Sequence, residues 1–109
     1  MGLKEYPVIF SPLAEQNLEE ITTYLSKRAS SEIAKRVVHK LVDLALGLKY
    51  SPARFGKELW MSRLDGDFRS CTKWSYKVIY EITDDSVVVH GFFHTSQDPG
   101  KMALLALGD

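Results

Sequence analysis

The sequence predicts an α+β domain: an N-terminal strand, an antiparallel helix hairpin, a three-stranded antiparallel meander and a short C-terminal helix. Three observations predict it. Tyr76 to Thr83 alternates with period two, with Tyr76, Val78, Tyr80 and Ile82 on one face and Lys77, Ile79 and Glu81 on the other. Residues 12–50 carry apolar stripes at helical spacing, interrupted by Ala29-Ser30-Ser31. Asp84-Asp85 separates two β-branched and aromatic runs as a tight turn would.

Glu5 to Phe10 reads as the first strand, with Pro7 near its start, where a proline belongs on an edge. Ser11-Pro12 opens the first helix, a hydroxyl at the N-cap and proline at the first helical position. Its stripe is Ala14, Leu18, Ile21 and Leu25, and it should end near Arg28. Ser30 or Ser31 caps a second helix that runs to about Tyr50, before Pro52. The second stripe is Ala34, Val37, Leu41, Leu44, Ala45 and Leu48, widened by Val38 and Val42, and Gly47 is read as a point of close packing. A hairpin with one apolar face needs a second layer, and the sheet supplies it. The sheet's other side is expected to stay open.

Residues 51–67 are the least regular stretch. Pro52 and Gly56 mark a loop, Leu59 to Leu64 is read as a short strand or extended arm, and Asp65-Gly66 is a turn. Phe68 to Thr72, Tyr76 to Thr83 and Ser86 to Phe93 form the meander, with Trp74-Ser75 as a connection. Met102 to Leu107 (MALLAL) is a short apolar turn of helix expected to dock on the core, a partner-facing patch being the second reading.

Composition narrows the class. The 109 residues fit one domain spanning 1–109, and 45% hydrophobic content supports a packed core. The single cysteine, Cys71, cannot form an intrachain disulfide, and its strand position suits a buried structural role in a reducing compartment. No apolar run reaches membrane-spanning length, nor does the N-terminus show signal-peptide order, so a cytoplasmic protein with no membrane partner is expected. Net charge is zero, but residues 49–77 carry seven basic groups against three acidic ones and residues 78–109 one against five. This local basic zone points to an acidic partner rather than to sequence-specific nucleic-acid binding.

The residues offer little ordinary catalytic machinery. His90 and His94 share a strand face about 13 Å apart, too far to ligate one zinc ion. With His39 on the second helix, no metal site and no cofactor is expected. The isolated glycines make no phosphate loop. Arg69 and Lys73 lie on one strand face, with Lys77 nearby on the next strand and His94 at the end of the last; Arg54 and Lys57 extend the basic zone.

Strand, helix hairpin and meander, with FRSCTKWSYKVIYEITDDSVVVHGFFHTSQDP, resemble the ParE branch of the RelE/ParE family of type II toxins. VIFSPLAEQNLEEITTYL is similar to the family's first strand and helix, Phe68-Arg69-Ser70 to its lead into the meander, and Tyr76 to Ile82 to its Tyr-x-Val/Ile-x-Tyr strand. The final strand departs from the pattern: His94-Thr95-Ser96-Gln97-Asp98 has glutamine where arginine is usual. The resemblance implies a RelE/ParE-like fold and a toxin neutralised by a cognate antitoxin, in a possible hetero-oligomer. For the ParE branch it implies inhibition of DNA gyrase by shape and charge, with no catalytic residue, through Arg69, Lys73, Lys57 and Arg54; for the RelE branch, ribosome-dependent cleavage of messenger RNA, which needs a base, an acid and a phosphate clamp and has Arg69, Lys73, Lys77 and His94 as its candidates. A non-toxic binding module or decayed toxin is the third reading. Phe55, Trp60, Met61 and the outer side of the helix hairpin are the surfaces an antitoxin is expected to cover, with the sheet edges.

Overall fold

The computed structural model describes residues 4–96. Strand β1 (Val8–Phe10) leads into helices α1 (Pro12–Arg28) and α2 (Ser31–Leu46), and the meander follows as β2 (Asp67–Lys73), β3 (Tyr76–Ile82) and β4 (Val87–His94). The sheet order is β1-β4-β3-β2, with β1 parallel to β4 and the other pairs antiparallel. The helix expected over Met102–Leu107, and Gln97, lie outside the described residues.

Local chemistry sets the helix ends. The Ser11 hydroxyl accepts from the Ala14 N–H at 3.0 Å, and Ser30 accepts from Ile33 in the same way at 3.1 Å. Pro12 opens α1, while Lys27 and Arg28 close it where cations complement the helix dipole. The second helix stops at Leu46, four residues short of the expected end, and passes into a 3₁₀ turn at Gly47–Lys49. Gly47 is not a point of close packing, since a Cβ there would meet nothing within 4 Å.

The hairpin covers one face of the sheet. Ala14, Ile21, Leu41, Ala45 and Leu48 pack on Cys71, Val78, Tyr80, Val87, Val89 and Phe92. Burial of these side chains supplies about 1.5–3 kcal/mol for each of the larger ones. The other face is not open, contrary to expectation. Met61, Phe68, Ile79 and Phe93 form a second core there, joined by Leu13 and Trp60. Leu59 to Leu64 is neither strand nor arm. It contains a 3₁₀ turn, Leu59–Met61, that carries Met61 inward. Ile79 is the cause: an apolar residue at 0% exposure on the side away from the helices needs its own cover.

The register slips between Ile79 and Tyr80, opposite Gly91 and Val89, leaving His90 as the extra residue of a bulge. There His90 reaches back to Glu81 at 3.0 Å and stacks on Phe68. Gly91 is required beside it, because a Cβ would lie 2.4 Å from the buried Phe93 ring and 2.9 Å from Asn17 Oδ1.

Part of the sheet's rim is covered from within the chain. Beyond β1, the edge of β4 is continued by α1: the Ser11 N–H donates to Val89 O, the Ser11 hydroxyl to His90 O, and the Phe92 N–H donates to Asn17 Oδ1. On the opposite edge the Ser70 N–H donates to Gly56 O and the Glu58 N–H to Phe68 O, so residues 56–58 lie along β2. The Phe68–Ser70 part of β2 and the β4 rim beyond β1 are therefore already paired within the chain.

Candidate functional site

The β2–β3 sheet and the loop from Ser51 to Gly66 bring the basic zone together. Two side chains pin that loop. Tyr80, fully buried, donates its hydroxyl to Pro52 O at 2.5 Å. Burial pushes its phenol well above the usual range, so it stays a donor. Arg69 donates to Ala53 O at 3.0 Å, to Phe55 O at 2.7 Å and to Asp67 at 3.0 Å. The planar guanidinium suits this fork of carbonyls and carboxylate. Arg69 is thus a clasp between the loop and the sheet, with only 17% of its side chain exposed.

The remaining basic candidates lie on the rim of the clasp. Lys57 bridges to Asp67 at 2.7 Å. Burial alone would raise the Asp67 carboxyl, but the hydrogen bonds from Lys57 and Arg69 outweigh it and hold it below the usual range. Arg54 donates to Tyr50 O and lies over the Phe55 ring. Lys73 lies 5.0 Å over the ring of Trp74. Trp74 itself, in the two-residue turn, has φ of +55° and 56% exposure. A bulky residue in the left-handed region is strained, and such strain collects at functional positions. Sequence reading treated Trp74 as a connection; the positive φ is a backbone property that no residue pattern here announces.

The four nuclease candidates are divided. Arg69 opposite Tyr80, Lys73 opposite Tyr76 and His94 opposite Tyr76 share the helix-covered face. Lys77, opposite Thr72, points through to the other face, so it does not lie beside Arg69 as expected. There its ammonium meets Glu58 Oε1 at 2.9 Å and sits 3.4 Å from the Trp60 ring centroid. The Glu58 side chain is 2% exposed, making this a buried ion pair that fixes the second core. His94 makes an edge contact with Tyr76, and its Nδ1 lies 2.7 Å from the Ser96 hydroxyl.

The antitoxin candidates are also redistributed. Met61 is 1% exposed and belongs to the second core, so it is not a surface residue. Phe55 and Trp60 are half-buried, each packed on one of the two cores. The exposed apolar side chains nearby are Leu59 and Leu64. On the hairpin side a cleft of about 750 Å³ opens between α1, the β2–β3 turn and the end of β4. Tyr24, Leu25, Val37, Trp74, Tyr76 and His94 are among its lining residues.

Cys71 is buried and its thiol is pushed up to about 11 by that burial, which makes it inert at neutral pH. Among the described residues no group of three His, Cys, Asp or Glu side chains could hold a metal ion. Nor is any helix among them long and apolar enough to cross a membrane.

Among solved structures the chain is similar to a chain of the chromosomal ParDE toxin–antitoxin system from P. aeruginosa, with TM-score 0.71 and 14% identity over 84% of this chain and 97% of that one. It is also similar to a chain of the toxin–antitoxin complex RelBE2 from Mycobacterium tuberculosis, with TM-score 0.63 and 25% identity over 88% of this chain and 98% of that one. A search of curated proteins finds no match. The family model for the ParE toxin of the type II toxin–antitoxin system parDE matches residues 8–99. By that match, with a sheet and helix hairpin of the same architecture, the chain belongs to the ParE family of type II toxins.

Proposed function

We propose that this ParE-family toxin blocks DNA gyrase by occupying a surface on it, with no catalytic step, and is neutralised by a cognate antitoxin. The observation that carries the reading is the division of the nuclease candidates between two faces of the sheet. The Lys77 ammonium is paired with buried Glu58, and the Arg69 guanidinium is engaged by two backbone carbonyls and Asp67. A phosphate clamp needs its cations convergent and available, and these point apart.

The contact with the target falls on the rim: Lys73 with Trp74, then Arg54 and Lys57. Arg69 acts there by holding the rim in place. Lys73 and Trp74 combine charge with an exposed indole, the residue types enriched at energetic centres of interfaces. The neutralising partner is an antitoxin that covers the exposed parts of Phe55 and Trp60 with Leu59 and Leu64. Support comes from the family and from the two similar structures, both of which belong to toxin–antitoxin systems.

The RelE-type neighbour keeps a second reading in view, ribosome-dependent cleavage of messenger RNA. Two parallel assays separate them. Purified toxin is added to gyrase supercoiling reactions and to translating ribosomes followed by primer extension. Loss of supercoiling with intact transcripts supports the proposal. Cut transcripts with intact supercoiling support the second reading.

A further inference from the structure

Where residues 4–6 meet residues 49–55, three cations stand over three aromatic rings in an unbroken row. The Lys4 ammonium lies 4.6 Å from the centroid of the Tyr6 ring, Lys49 lies 5.0 Å from that of Tyr50, and the Arg54 guanidinium 4.8 Å from that of Phe55. The backbone links the pairs in that order. The Tyr6 N–H donates to Lys49 O at 2.9 Å, Glu5 bridges to Tyr50, and Arg54 donates to Tyr50 O at 2.9 Å. Tyr6 and Phe55 pack on the first core, so the rings at both ends of the row are fixed pedestals for their cations.

Among the described residues no carboxylate lies within ion-pair reach of these three cations, whereas Lys57, Arg69 and Lys77 are each paired. Glu5 is the one acidic residue in the two segments, and alternation along the extended chain turns its side chain away from Lys4 and Tyr6. At the other side of Lys4 its ammonium reaches Asp84 O at 3.5 Å, so the Asp84-Asp85 turn bounds the row at that end. The positive charge is thus concentrated along one line of a chain whose net charge is zero. Arg54 also belongs to the proposed target contact; Lys4 and Lys49 do not.

We infer that this row binds the phosphate backbone of nucleic acid without reading its sequence. The class of ligand follows from the groups. Two of the three cations are lysines, compact point charges without the planar fork that grips a single carboxylate. None of the six residues lines the cleft beside α1, and a protein partner gains most from an anchor seated in a pocket. A polyanion asks only for cations in a line. Duplex DNA carries one charge for about every 1.7 Å of its axis, so a row of three meets phosphates at any sequence. Such contacts position a protein on a nucleic acid and carry no base readout. The surface belongs to the toxin alone and requires no gyrase. On a target that carries DNA it adds a second point of attachment, continuous with the rim through Arg54.

Fluorescence anisotropy of labelled duplex oligonucleotides, titrated with the full chain in the absence of gyrase, tests it. Two unrelated sequences should bind with the same affinity at low salt. The logarithm of the binding constant should fall against the logarithm of salt concentration with a slope of about −2.7, the value for three neutralised phosphates. Lys4→Gln and Lys49→Gln should each flatten that slope by about one, whereas Lys35→Gln, at the opposite end of α2 from Lys49, should leave it unchanged. All three are surface lysines, and melting temperatures equal to wild type separate a lost contact from a damaged fold. Absence of binding at low salt, preference for one sequence, or a slope that neither row variant changes overturns the inference. So does displacement of the oligonucleotide by poly-glutamate at equal charge concentration, since the row would then be a surface for acidic protein. Because no reaction contains gyrase, loss of this surface leaves the target reading standing, and a negative supercoiling assay leaves this surface standing.

Discussion

Asn17 Oδ1 accepts the backbone N–H of Phe92 at 3.1 Å, on the side of β4 that faces away from β3 and beyond the end of β1. The strand β1 ends at Phe10, opposite Val89, and the first helix takes over the edge from there. Helix and sheet are thus joined by a hydrogen bond as well as by packing. Replacing Asn17 with Ala leaves a buried N–H without a partner, at a cost of about 1–3 kcal/mol. Amide exchange at Phe92 should accelerate accordingly. An unchanged exchange rate there would show that the bond contributes nothing.

Lys77→Met should be among the most damaging substitutions of a basic residue in the chain. It leaves Glu58, whose side chain is 2% exposed, as a buried charge without its cation. Breaking one side of such a pair typically costs about 3–5 kcal/mol. The paired replacement Lys77→Met with Glu58→Gln should recover a large part of the loss. Chemical denaturation of the single and double variants makes the comparison, and equal stability of both would remove the structural role assigned here.

Arg69→Ala should lower stability by roughly 2 kcal/mol, the scale of a lost hydrogen bond to a charged group in a partly buried site. Arg69→Lys should not restore it, because an ammonium cannot span Ala53 O, Phe55 O and Asp67 as the guanidinium fork does. Melting temperatures of the two variants decide this. The result bears on any growth assay, since a non-toxic Arg69→Ala chain is expected to be a loosened one.

Acid should weaken the same corner. The folded Asp67 carboxyl titrates below its unfolded counterpart, held there by Lys57 and Arg69 against the raising effect of burial. A depressed folded value contributes stability above the unfolded value, near pH 4, and the contribution fades as pH falls through the folded one. Wild type and Asp67→Asn should therefore differ in stability at neutral pH and converge as the pH drops below about 4. A difference that is constant across that range would contradict the assignment.

Trp74→Gly should separate stability from activity. Glycine adopts φ of +55° without strain, so the variant should melt at the same temperature as wild type or slightly higher. It removes an exposed indole from the proposed target contact, so growth inhibition on expression should fall. Retained toxicity would move the contact elsewhere.

Much of this architecture is legible in the residues. Ser11-Pro12 and Ser30 set both helix starts, and Tyr76 to Ile82 alternates as a strand between two environments. The second core was not legible, because the alternation places Ile79 away from the helices without saying what meets it. Its cover comes from Met61, far away in sequence and within a stretch of no clear period. The basic candidates illustrate the same limit. Residue spacing puts Arg69 and Lys73 on one face, and they are there, but it gives no sign that Arg69 is turned onto backbone carbonyls of the preceding loop. Lys77 reads as a neighbour until the register with Thr72 places it on the far side. Asn17 looks like an ordinary polar helix residue until Phe92 needs an acceptor.

The proposed mode of action rests on the rim of Lys73 and Trp74 blocking a target without chemistry, and one titration tests it most directly. Gyrase supercoiling is measured against increasing wild-type toxin and against Lys73→Glu, a surface change that should leave the melting temperature unaltered. Supercoiling that is lost with wild type and largely preserved with Lys73→Glu is the expected result. Supercoiling unaffected by the wild-type protein at any concentration would contradict the account.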